Sequence, residues 1–211
     1  MVYRLYIYNW KTTLIMTNYD DLKKHVLKRT RMTDDDLEQF CQKFRLMHVK
    51  KRQFLVQPEF LARHRYYVVS GSFRAYVIGD EGQEHTIQFA IDDWWISDYN
   101  SYVFQQPASM FVMALEDSIV LQIEYETEQS LKQSKHVYET FFRILAENTA
   151  AHMARRVIVN LTKTAEQRYE LFLTRYPDIV NKVPQYALAS FLGMTTEYLS
   201  KLRAKRLVRK S

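Results

Sequence analysis

The spacing of apolar residues changes twice along this chain, and those two changes limit what it can fold into. From Thr17 to Arg45 the pattern is helical. Asp34, Asp35 and Asp36 sit where a helix N-terminus favours negative charge, and Leu37, Phe40, Cys41 and Phe44 follow at i, i+3, i+4, i+7. From about Leu46 to Ile123 the pattern becomes that of short strands. Tyr66–Val69 and Phe73–Ile78 are rich in β-formers and Gly71 punctuates them; Gly79-Asp80-Glu81-Gly82 reads as a turn and His85–Phe89 as the returning strand. Met110–Leu115 and Ile119–Ile123 read as a further apolar pair around the turn Glu116-Asp117-Ser118. From about Glu126 the helical spacing returns, with no proline between Pro107 and Pro177. A long helix is predicted over Lys135–Leu161. A shorter one over Ala165–Tyr176 carries Tyr169, Phe172, Leu173 and Tyr176 and is ended by Pro177. The fold class is therefore α+β, a jelly roll or sandwich of short strands followed by helices.

Charge is distributed unevenly along this framework. The net charge of +6 is carried by Leu161–Ser211, where ten Lys/Arg face four Asp/Glu, while the residues before it are balanced. A basic end on a neutral body points to a polyanion, although a solvated basic face with no partner would look the same. The single cysteine, Cys41, excludes an internal disulfide framework and fits a cytoplasmic protein; its place on an apolar face reads as a buried thiol. No apolar run is long enough to span a bilayer, so no membrane partner is expected. Residues Met1–Met16 are apolar but interrupted by Arg4, Asn9 and Lys11, and read as an N-terminal extension rather than a signal peptide; Met1 and Met16 are both open as the start.

The most informative segment is Val183–Arg203. Pro184 suits a first helical turn, Leu188 and Leu192 give that helix an apolar face, and Ala189 allows a close crossing. Gly193 stands where a tight turn needs positive φ, Thr195 caps a second helix, and Leu199 and Leu202 pack that helix back on the first. This is the pattern of a helix-turn-helix, which an ordinary helical hairpin can share. Basic residues through Arg209 and Lys210 favour the nucleic-acid reading, as do Lys201, Arg203, Lys205 and Arg206 on the last helix.

These residues carry a family resemblance. Val69-Ser-Gly-Ser-Phe-Arg-Ala-Tyr, Gly82-Gln-Glu-His-Thr-Ile-Gln-Phe-Ala, Ala114-Leu-Glu-Asp-Ser, Tyr176-Pro, Val183-Pro-Gln and Ala189–Arg203 resemble the cyclic-AMP receptor protein/FNR (Crp/Fnr) family of regulators, and most of all its short Bacteroidetes-type members. The resemblance covers about Met16 to Lys205. It implies a cyclic-nucleotide-binding-like β-roll over residues 17–134, a dimerisation helix over 135–161 and a DNA-binding helix-turn-helix over 162–211, after the extension 1–16. By residue match it places Thr196, Glu197 and Lys201 at base edges, with Ser200 and Arg203 at phosphates or flanks and Thr195 at the start of the reading helix. Two departures stand out: no wing hairpin follows the reading helix, and no strand pair precedes the helix-turn-helix.

The implied function is a non-enzymatic transcription regulator that binds double-stranded DNA as a homodimer, with RNA polymerase a candidate further partner. The alternative is a protein-interaction or ligand-sensing module that has lost sequence-specific DNA binding. The dimer seam is expected along Val137, Phe141, Ile144, Leu145, Asn148, Ala151 and His152, unless that stripe packs on its own roll. The family's Gly-Glu step and following Arg are replaced here by Asp92-Asp-Trp-Trp and Gln105-Gln-Pro-Ala-Ser. No Lys or Arg lies between Arg74 and Lys132, so a buried phosphate has no local cation and cyclic AMP is not the expected effector. Phe89, Trp94, Trp95, Tyr99 and Tyr102 read either as core or as a pocket for another, unknown small molecule. The six histidines are scattered without ligand spacing, so no metal and no cofactor is expected, and no catalytic motif is present.

Overall fold

Two short helices, rather than one helical stretch, precede the first strand. The structure, a computed structural model, describes residues 19–210, with side chains to residue 206; the N-terminal extension lies outside the described residues. Helix α1 covers residues 19–27 and α2 covers Asp34–Cys41. The break is local chemistry. Thr30 Oγ1 donates to Val26 O and Arg29 to His25 O, which satisfies the carbonyls that end α1. Thr33 then accepts from Asp36 N–H and caps a new helix, a contact worth about 1 kcal/mol. Cys41 is buried and its thiol is pushed up to about 12 by burial, so it is a packing group.

Eight strands follow among the described residues: β1 (Arg45–Val49), β2 (Phe54–Val56), β3 (His64–Ser70), β4 (Ser72–Ile78), β5 (Glu84–Ile91), β6 (Trp95–Ile96), β7 (Phe111–Ala114) and β8 (Ser118–Glu124), with helix α3 (Tyr99–Phe104) between β6 and β7. They form two four-stranded sheets, ordered β1-β8-β3-β6 and β2-β7-β4-β5, with antiparallel pairing throughout. The expected β4–β5 hairpin is present, closed by Gly79 N–H donating to Gln83 O. The apolar pair around Glu116–Ser118 is not a hairpin. β7 and β8 lie in different sheets, because Glu116 is held by Ser72 Oγ while Asp117 takes the Lys51 amide and Lys50, turning the chain across. Gly71 makes the same crossing between β3 and β4 at φ +111°, where a Cβ would lie 2.1 Å from Ser118 Oγ.

Side-chain alternation explains why β3 is apolar on both faces. Tyr66 and Val68 point between the sheets with Phe73, Ala75, Val112 and Val120. Tyr67 points outward with Leu121 and Ile123, into a second core made by α1, α2, α4 (Tyr125–Ser134) and the start of α5 (His136–Thr162). The long helix matches its expected bounds closely, but its predicted seam is divided: Asn148, Ala151 and His152 face solvent, and the earlier part does not. Phe141 and Leu145 belong to that second core and Val137 packs against it. The exposed apolar residues lie on the opposite side and further along: Ala150, Ala154, Val157 and Leu161 are all exposed, the last two at 56% and 81%. Their spacing of four, three and four residues is that of a coiled-coil seam.

The second core carries one buried polar junction. Trp95 Nε1 can only donate, so His25 Nε2 accepts from it at 3.0 Å and the ring proton sits on Nδ1, which donates to Asp93 Oδ1 at 2.7 Å. Tyr67 OH donates to the same oxygen. Burial lowers the His25 pKa below its ordinary 6.5, and the Asp93 bond only partly opposes this. Burial raises the Asp93 carboxyl, but the His25 and Tyr67 bonds outweigh it and bring it to about 2. Below pH 6.5 the unfolded chain takes up the His25 proton before the folded chain does, so folding stability falls as pH drops through this range. Denaturant midpoints measured from pH 7.5 to 5 should fall, and His25→Gln should flatten that slope; an identical slope in the variant would contradict the assignment.

Candidate nucleic-acid interface

The C-terminal quarter folds from four helices around one core. They are α6 (Ala165–Arg175), α7 (Ile179–Lys182), α8 (Gln185–Phe191) and α9 (Thr196–Lys210). α6 opens on a capping box: Thr164 accepts from Gln167 N–H and Gln167 accepts from Thr164 N–H. The core joins Tyr169 and Phe172 of α6 to Ile179, Val183, Ala187, Leu188, Ala189, Leu192, Leu199 and Leu202. Small Ala187 and Ala189 are fully buried, as a close α8–α9 crossing requires.

Local chemistry sets the turn between α8 and α9. Gly193 has φ +65°, and Thr195 Oγ1 accepts from Tyr198 N–H at the start of α9. Arg168, from α6, locks this turn with two hydrogen bonds, Nε to Leu192 O and Nη2 to Gly193 O, and Nη1 donates to Lys163 O at the end of α5. Nothing in local spacing singles Arg168 out, because its acceptors are backbone carbonyls, two of them more than twenty residues away. Among the described residues α7 occupies the connection between α6 and α8, where no strand pair lies.

With Leu199 and Leu202 turned inward, α9 presents Glu197, Ser200, Lys201 and Ala204 outward, and Thr195, Thr196 and Arg203 are also exposed. All six sequence-selected residues thus lie on one accessible helix. Tyr198, at 43% exposed, joins them on the flank and was not singled out. Glu197 has a role of its own: its carboxyl is held below the ordinary value by its own backbone N–H first, then by Thr195 and Lys201, so it serves the positive end of α9. Two cations counted toward the interface are engaged elsewhere. Lys205 pairs with Glu166 at 3.3 Å and Arg206 with Glu170 at 3.8 Å, tying α9 to α6. Among the side chains described, Lys201 and Arg203 therefore carry the positive charge of the exposed face.

The five aromatic residues of the candidate effector pocket do not meet. Phe89 is buried in the helical core against Phe191, and Trp94 packs edge-on against Tyr176. Trp95 lies with His25, Phe44 and Tyr67. Tyr99 and Tyr102 lie under the Arg65 guanidinium, at 4.9 and 5.2 Å from its carbon. They fall into three groups, Phe89 with Trp94, Trp95 alone, and Tyr99 with Tyr102, rather than around one pocket. The cation-poor stretch does gain cations from other segments, but they are spent. Arg65 faces Glu128, which also binds Tyr102 OH, and Arg74 pairs with Glu84. At the start of α3 the fully buried Asp98 carboxylate accepts from the amides of Ser101, Ser109 and Met110. A carboxylate already occupies the donors that an anion there would use.

Residues 46–135 match the family model described as the cyclic nucleotide-binding domain, which spans the strands and α4. No curated protein sequence matches the chain. Solved structures share its fold. FixK2 from Bradyrhizobium japonicum aligns with a TM-score of 0.69 at 16% identity, covering 79% of this chain and 86% of its own. The c-di-GMP responsive global regulator CLP of Xanthomonas campestris aligns with a TM-score of 0.65 at 15% identity, covering 84% and 93%. A transcriptional regulator assigned to the Crp/Fnr family from Eubacterium rectale gives 0.64 at 18% identity, covering 84% and 85%. The likeness at these identities is one of fold.

Proposed function

We propose that this chain, a cyclic nucleotide-binding domain joined by a long helix to a helix-turn-helix in the fold of the Crp/Fnr regulators, is a dimeric DNA-binding transcription regulator rather than an enzyme. One observation carries the reading: α9 is capped, locked to α6 and α8 on one side, and free on the other, with Lys201 and Arg203 exposed. Lys201 donates to a base edge, guanine being the best acceptor, and Thr196 and Ser200 are the other base-facing donors. Arg203, beside Tyr169 at the flank, contacts phosphate. On the DNA site the wild-type chain prefers, Lys201→Ala should cost roughly 1–3 kcal/mol and relax one base position. Arg203→Ala should weaken all sequences alike and reduce the salt slope by about one. Unchanged binding in both variants would favour the interaction-module alternative.

Two copies pair through the outward face of α5, along Ala150, Ala154, Val157 and Leu161 rather than the stripe that includes Phe141 and Leu145. Small residues at the first two positions allow close approach, and Val157 and Leu161 supply the apolar area. Val157→Glu with Leu161→Glu should convert the wild-type dimer to a folded monomer in light scattering. A dimer that survives both changes would place the interface elsewhere.

The effector is a small molecule other than cyclic AMP. The buried Asp98 carboxylate takes the amides at α3, and Arg65 and Arg74 already face Glu128 and Glu84, which disfavours a cyclic phosphate there. Calorimetry with cyclic AMP and cyclic GMP should give no one-site isotherm at micromolar affinity; such an isotherm would contradict this.

A further inference from the structure

We infer that Ser190 and Arg156, converging on Thr86 of β5, are positioning residues that fix the reading helix relative to the dimer seam. The inference rests on the DNA-binding reading above. β5 is an edge strand, so its outer backbone groups need partners from elsewhere. Thr86, 2% exposed, has each of its polar atoms bound to a different element. Its N–H donates to Ser190 Oγ of α8 at 2.8 Å, its carbonyl accepts from Arg156 Nη2 of α5 at 3.1 Å, and its Oγ1 accepts from Arg74 Nε of β4 at 2.8 Å. Ser190 Oγ also donates to Glu84 O, so one hydroxyl closes two backbone groups of the same strand. Arg156 donates a second bond to Ile87 O. The register slips here, with Tyr76 opposite Thr86 and Ala75 opposite Gln88, which leaves Ile87 as an extra residue.

The junction is retained at a cost. Arg74 Nη2 and Arg156 Nε are buried with no hydrogen-bond partner among the described residues. Aromatic faces compensate in part: Arg74 lies 5.2 Å from the Tyr186 ring of α8, and Arg156 4.3 Å from Phe191. The Ser190 and Arg156 bonds join α8 and α5 to β5, the Arg156–Phe191 contact joins α5 to α8 directly, and α9 is fixed to α8 by Leu188, Leu192, Leu199 and Leu202. Arg156 sits on the side of α5 opposite the exposed seam. The path from the seam through Arg156, Thr86 and Ser190 to α9 therefore sets how far apart two reading helices stand in a dimer.

The test separates spacing from reading. DNA probes carry one half-site, or two half-sites at the preferred spacing and at one and two base pairs either side. Wild type should discriminate against wrong spacing by about tenfold, and Ser190→Ala or Arg156→Gln should reduce this to about twofold, with single half-site affinity unchanged. Ser190→Thr, which keeps the hydroxyl, should restore discrimination. Hydrogen exchange without DNA should show the Thr86 amide opening faster in Ser190→Ala. Wild-type spacing preference in both variants, unchanged exchange at Thr86, or loss of half-site affinity together with spacing would each overturn the proposal. If the wild-type chain binds no DNA, the DNA-binding reading fails, while the exchange comparison still decides the link through Thr86.

Discussion

Helix α5 has two apolar sides, and the rest of the structure depends on that constraint. Its inner side closes the outer face of the β1-β8-β3-β6 sheet through Phe141, Phe142 and Leu145, and further along it reaches β5 through Arg156. Its outer side leaves Val157 and Leu161 in solvent. A helix with a single apolar stripe would be satisfied by its own chain. This one keeps a second apolar side for another surface to cover, and the proposed two-fold partner is the surface that would do so. Full burial of a Val or Leu side chain contributes about 1.5–3 kcal/mol. The seam's small residues let two helix backbones come close enough to use it.

The same helix shows how far the sequence could be read. Its length and place were legible because no Gly or Pro interrupts helical spacing over Lys135–Leu161. Which side faces a partner was not, because apolar residues occur nearly all round and periodicity cannot say which of them the chain's own roll will cover. The helix-turn-helix was legible residue by residue: Gly193, Thr195, Leu199 and Leu202 have local roles set by turn chemistry and helical spacing. The capping box at Thr164 and Gln167 was there to be read as well. What stayed hidden involves partners far apart in sequence. Arg168 finds its carbonyls only when α6 crosses the turn, and Ser190 reaches Thr86 across 104 positions. The aromatic run around Trp94 and Trp95 left two readings open, since residues adjacent in sequence point alternately into different layers.

The roll has the fold of a nucleotide-binding domain and an interior arranged otherwise. Where a bound phosphate would need cations and free amides, Asp98 takes the amides and Glu84 and Glu128 take Arg74 and Arg65. Removing Glu128 would strand the buried Arg65 charge, whereas Glu128 has Lys132 as a second cationic partner at 2.5 Å. On the proposed reading, the fold is a platform that joins the exposed side of α5 to α9.

The central claim is that two α9 helices, held by one α5 seam, read DNA together. Selection of binding sites from a random duplex pool by the full-length chain tests it most directly. The account predicts enrichment of two inverted half-sites whose centres lie about 34 Å apart, one helical turn, on one face of the duplex. Recovery of a pool with no enriched sequence, or of a single half-site with no symmetric mate, would contradict it.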